Sequence, residues 1–131
     1  MATGSCLCGK ITYECDQVGP DIAKCHCTIC QKSSGSAYGD FTSAPIDKFR
    51  WSQGQELLSK FESTPGTFRN FCPNCGTHLP SPNPPLGVVF IPAGTLDSRE
   101  PLREAAHIFL RSKVAWHKLE PGLKEFEEFP H

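Results

Sequence analysis

The sequence predicts a mainly β protein, built from short strands joined by turns and carrying little helix. Two observations carry this. Twelve prolines and eleven glycines punctuate 131 residues, too densely for long helices. Between them lie short runs in which polar residues alternate with β-branched or aromatic ones. A third observation, eight cysteines in tight groups, bears on what holds such strands together.

In chain order, "KITYEC" (Lys10 to Cys15) alternates polar and apolar and reads as a strand. "DIAKCHC" (Asp21 to Cys27) continues the style after Gly19-Pro20. "KSSGSAYG" (Lys32 to Gly39) is small and polar and reads as a loop. "DFTSAPIDKFRW" offers a short strand and a turn at Pro45. "ELLSKFES" (Glu56 to Ser63) fits helix or strand on pattern alone. The following Thr64-Pro65-Gly66 turn favours a hairpin with "TFRNFC" (Thr67 to Cys72). "PNPP" (Pro82 to Pro85) is a rigid loop. "GVVFIPAGTL" (Gly87 to Leu96) is the most apolar strand, dense enough to suggest burial on both faces. "HIFLRSK" (His107 to Lys113) is a further strand, and "LEPGLKEFEEFPH" a surface tail anchored by Phe126 and Phe129.

Composition narrows the function. With 38% hydrophobic and 21% charged residues the chain reads as a soluble globular domain, and its length suits a single domain over 1–131. A net charge of -1 lacks the basic excess of a duplex-binding surface, so a nucleic-acid partner is not expected. No run approaches the roughly 20 apolar residues of a spanning helix, and the first residues lack an apolar signal-peptide core. A cytoplasmic location is the expectation. In a reducing compartment clustered cysteines bind metal more often than they form disulfides.

Cys6 and Cys8 are spaced i, i+2, which on an extended strand puts both thiols on one face. Cys72 and Cys75 stand in "CPNCG", the shape of a zinc knuckle. The two pairs make four thiolates, the donor set of a closed tetrahedral Zn2+ site, with iron the alternative. A second group, Cys25, Cys27 and Cys30 in "CHCTIC", brings three thiols together. His26 points to the opposite face of an extended segment and is not counted as a ligand. Three protein ligands leave one zinc position for water or substrate, the pattern of a catalytic ion. A soft thiol suits that position and is delivered as thiolate at neutral pH. The competing reading is a second structural site closed by His26 or Cys15.

Together "GSCLCGKITYEC", "CHCTICQKSSGS", "FCPNCGTHL", "AGTLD" and "HIFLRSKVAWH" resemble the glutathione-dependent formaldehyde-activating enzyme family, which also includes centromere protein V. The resemblance runs from about Gly4 to the end of the chain. It implies a tent-like fold of small antiparallel sheets, similar to a guanine-nucleotide-exchange chaperone. It implies a structural zinc on Cys6, Cys8, Cys72 and Cys75 and a catalytic zinc on Cys25, Cys27 and Cys30. The reaction it implies joins glutathione and formaldehyde into S-hydroxymethylglutathione, a carbon–sulfur lyase chemistry. Cys15 has no metal role in that pattern and reads as a buried apolar residue.

The glutathione carboxylates call for a basic rim, for which Lys32, Arg69 and Arg111 are candidates. His107 or His117 are candidates for moving the proton. Trp116 and Phe109 read as core or pocket wall. Two other functions compete: a non-catalytic module with two structural zincs, and a redox role for "CHCTIC" as a C-x-x-C pair.

Overall fold

The computed structural model describes residues 1–98 and 101–130. It is mainly β with small sheets. The first sheet holds β1 (Ala2–Ser5), β2 (Thr12–Cys15) and β5 (Phe49–Gln53), all antiparallel. The largest has the order β11-β10-β3-β4-β9-β8, comprising β3 (Asp21–Cys25), β4 (Gly39–Pro45), β8 (Ser81–Asn83), β9 (Val88–Pro92), β10 (Arg103–Ile108) and β11 (Lys124–Glu125). The third is the expected hairpin of β6 (Ser59–Thr64) and β7 (Thr67–Phe71). A single α-helix, α1 (Thr28–Ser34), and several one-turn 3₁₀ segments complete the described residues.

The main core lies between the first two sheets. Tyr13 and Cys15 of β2 meet Ala44 of β4 and Val89 and Ile91 of β9 there, with Leu96. Tyr13 stacks on Phe49 and meets Trp51 edge-on. Gly4 is opposite Tyr13 in the β1–β2 register, and a Cβ there would lie 2.2 Å from the Tyr13 ring. Only glycine lets the ring lie across β1. A smaller cluster joins Ile11 and Leu79 to Cys6 and Cys72, so one cysteine group is itself part of a core.

Four expectations are corrected. Cys6 and Cys8 follow β1 in a turn rather than sharing a strand face, with Gly9 N donating to Cys6 O at 3.1 Å. β9 buries one face only: Val89 and Ile91 are inside while Phe90 is 37% exposed. A strand packed against one core alternates, however apolar its sequence. Lys32, Ser33 and Ser34 belong to α1, not to a loop. The "HIFLRSK" strand lies earlier, over Arg103–Ile108, and Leu110–Ser112 form a 3₁₀ turn. That strand pairs in parallel with β3 and β11, an addition to the antiparallel pattern. Cys15 is fully buried in the main core, as read from sequence. The tail ends at His131, which lies outside the described residues.

Candidate functional site

The first cysteine group is assembled from two tight turns. In "CPNCG", Gly76 takes φ +79° and its N–H donates to Cys72 O at 2.7 Å, folding Cys75 back toward Cys72. The Cys6–Cys8 turn faces this knuckle. Cys6 and Cys8 Sγ are 3.6 Å apart, and Cys8 and Cys72 Sγ 3.8 Å. All four sulfurs lie within 4.8 Å of one another. A tetrahedral ion with Zn–S bonds of about 2.3 Å needs sulfurs about 3.8 Å apart, so this set could hold zinc. Thr77 clips the turns together: its Oγ1 accepts from Leu7 N at 3.0 Å and lies 3.3 Å from Cys75 Sγ. That hydroxyl draws the Cys75 thiol down to about 5, as a ligand thiolate requires.

The second group sits where β3 ends and α1 begins. Cys25 closes β3, and Cys27 caps the helix, its Sγ accepting from Cys30 N at 3.2 Å. Cys30, one turn in, then faces the same point. Gly35 ends the helix with φ 65°, its N–H bonding Gln31 O. Gln31 Nε2 donates to His26 O at 2.7 Å and Ser112 O at 2.8 Å, fixing the loop to the 3₁₀ turn after β10. The Sγ atoms of Cys25, Cys27 and Cys30 lie within 4.8 Å of one another, so this set also could hold zinc. Hydrogen bonds from the Cys25 and Cys30 thiols push Cys27 far below the ordinary thiol range, while the same contacts push Cys25 up. A bound cation would favour the thiolate form of all three.

Arg69 of β7 stands beside this second set, with its guanidinium 3.5 Å from Cys30 Sγ and 3.3 Å from Ser33 Oγ. Three residues after Arg69 the chain enters the Cys72–Cys75 knuckle. The β6–β7 hairpin therefore connects the two cysteine groups.

The glutathione-dependent formaldehyde-activating enzyme family matches residues 1–112, a span that contains both groups. The chain belongs to this family. A solved structure described as a Rhodobacter sphaeroides protein, a structural genomics target, has the same fold: TM-score 0.64 at 19% identity, covering 76% of this chain and 91% of that one. No curated protein matches the chain.

Around the three cysteines this family member builds a buried polar network that the sequence reading did not find. His26 and His107 are both 0% exposed, and His26 Nε2 is 2.9 Å from His107 Nδ1. His107 Nε2 lies 3.1 Å from Glu120 Oε2. Either ring nitrogen of the His26–His107 contact can be the donor, according to tautomer. His26 Nδ1, His107 Nε2 and Glu120 Oε2 are buried with no hydrogen-bond partner among the described residues, so the His107–Glu120 approach is a contact without hydrogen-bond geometry. Burial holds the His26 pKa down to about 4, helped by His107 and His117. Tyr38 and His117 pack on the same ring. Next in line, Lys24 is 2% exposed, with Nζ 2.6 Å from Glu104, 3.0 Å from Tyr38 OH and 3.4 Å from Asp40. Burial disfavours its charge, but the Glu104 and Tyr38 hydrogen bonds outweigh that and raise its pKa.

The other named residues divide. Lys32 and Arg69 line a groove beside the second cysteine set. Arg111 instead pairs with Glu128 at 3.1 Å. His107 and His117 belong to the histidine network. Trp116, read as core or pocket wall, is 73% exposed, and Phe109 takes φ 57° and packs edge-on against Phe129. Among the described residues no helix is long and apolar enough to cross a membrane.

Proposed function

We propose that this protein is a zinc-dependent carbon–sulfur lyase that combines glutathione, or a similar low-molecular-weight thiol, with formaldehyde or another small aldehyde. Residues 1–131 act as one cytoplasmic zinc-binding domain in this reading. Cys6, Cys8, Cys72 and Cys75 hold the structural ion. Cys25, Cys27 and Cys30 hold the catalytic one. The observation that carries the reading is the unequal donor count, four sulfurs in one group and three in the other.

A zinc ion on three thiolates supplies a Lewis acid that lowers the pKa of a substrate thiol and polarises a carbonyl. The residues do the rest. Cys25, at the end of a strand, and Cys27 and Cys30, on a capped helical turn, are fixed before any ligand arrives. Cys25, Cys27 and Cys30 would concentrate negative charge when they hold a cation as thiolates. The Arg69 guanidinium at Cys30 offsets that build-up. The reaction balances without an oxidant. The thiol S–H bond breaks, a C–S bond forms to the aldehyde carbon, and the proton ends on the former carbonyl oxygen.

The test counts zinc per chain and follows thiol-dependent hydroxymethyl transfer in wild type and Cys27→Ser. The variant should lose about one zinc per chain and at least about a hundredfold in rate. Full activity in Cys27→Ser would sink the catalytic assignment. An unchanged zinc absorption edge on adding glutathione would favour the non-catalytic two-zinc module.

A further inference from the structure

We propose that the groove between α1 and the β6–β7 hairpin receives the acidic end of the thiol, and that Lys32 and Arg69 select it. This rests on the thiol-binding role given above to Cys25, Cys27 and Cys30, and it adds the residues that would discriminate between thiols.

The groove follows from helical spacing. Thr28, Ile29, Lys32 and Ser33 recur at i, i+1, i+4 and i+5, one face of α1, and this face lines the groove. Cys30, off that face, is buried behind it. Arg69 bridges the two, reaching Ser33 on the groove side and Cys30 Sγ on the other. The groove, about 450 Å³ in volume, is thus joined to the cysteine set through the Arg69 side chain. Ile29 and Phe61, the latter 66% exposed, give it an apolar wall for a methylene chain.

Its charge is one-sided. Two cations line it and no carboxylate does, in a chain whose net charge is -1. None of the ion pairs among the described residues includes Lys32 or Arg69. The nearest acid in sequence, Glu62, is occupied at the hairpin turn, where it accepts from Gly66 N at 3.0 Å. Arg69 Nε is buried and has no hydrogen-bond acceptor among the described residues. A tripeptide-sized thiol extends about 10 Å, so a carboxylate can meet the cations while its sulfur remains at the cysteines.

Calorimetric titration of the zinc-loaded full chain tests this with three probes: glutathione, neutral 2-mercaptoethanol, and S-methylglutathione, which keeps the carboxylates but has no thiol. Glutathione should bind at least about tenfold tighter than mercaptoethanol at low salt, and the preference should shrink at 0.5 M salt, a concentration chosen to leave a Debye length of only about 4 Å. Lys32→Glu should cut the preference about tenfold and weaken S-methylglutathione similarly. If Lys32→Glu changes neither, the groove assignment is overturned, even where mercaptoethanol binding upholds the thiol site. If neither free thiol binds more tightly than S-methylglutathione, yet that ligand still depends on Lys32, the groove stands and the thiol-site reading falls.

Discussion

At Cys27 two roles meet in one sulfur. It accepts a hydrogen bond from Cys30 N as the helix cap, and it faces Cys25 and Cys30 in a set that could hold a metal. Serine is also a good cap, so Cys27→Ser separates the roles: α1 stays capped while the soft ligand is lost. His26, next to it, carries a pH prediction. Its folded pKa of about 4 is below the ordinary histidine value of 6.5, because burial penalises the imidazolium. Between these values the unfolded chain binds the proton and the folded chain does not. The contribution is therefore full above about pH 6.5 and is lost progressively as pH falls toward 4. Two-dimensional NMR of the ring should show His26 neutral down to about pH 4, and the melting temperature should fall across the same window. A ring titrating near 6.5 would contradict the burial argument.

At the scale of elements, the β1–β2 pair depends on a contact that a methyl group would break. Gly4 and Tyr13 are register partners, and the Tyr13 ring fills the space where a Cβ would stand. Gly4→Ala should destabilise by about 1–3 kcal/mol, seen as a lower urea midpoint with an unchanged slope. A loss under about 0.5 kcal/mol would mean the ring can move aside at little cost. Elements with local signals were legible in the sequence: the Thr64-Pro65-Gly66 hairpin and the "CPNCG" knuckle each carry their own turn chemistry. α1 was not. Its seven residues show no long apolar period, and its cap is a cysteine rather than the usual Ser, Thr, Asp or Asn. β10, with the sequence "REAAHI", has weak strand propensity. It is a strand because β3 and β11 lie on either side of it.

For the whole molecule, the four-cysteine set would act as a clasp when it holds a metal. Cys8 and Cys72 are 64 residues apart in sequence, and their sulfurs 3.8 Å apart in space. Binding free energy at such a site is folding free energy. Stripping this metal, or making Cys75→Ser, should lower the melting temperature by more than about 10 °C in calorimetry. Loss at the three-cysteine set should cost less, since Cys25, Cys27 and Cys30 span only six residues and clasp nothing distant. Equal losses would mean that both sites are structural.

The sequence by itself determined the donor chemistry. Cysteine type and spacing divide the candidate metal ligands into four and three, and those short spacings constrain geometry wherever the segments lie. Only the tertiary structure decided what surrounds them. Nothing in the sequence singles out Lys24 of "DIAKC", yet β10 and Tyr38 cover it and Glu104 and Asp40 take up its charge. His26 meets His107 from 81 residues away because β3 and β10 pair in parallel. Arg69 reaches Cys30 because the hairpin folds over α1. Ligand sets written in adjacent residues are local and can be read from the chain. The field, the proton partners and the groove depend on which strands become neighbours, and strand pairing is settled by burial across the whole fold.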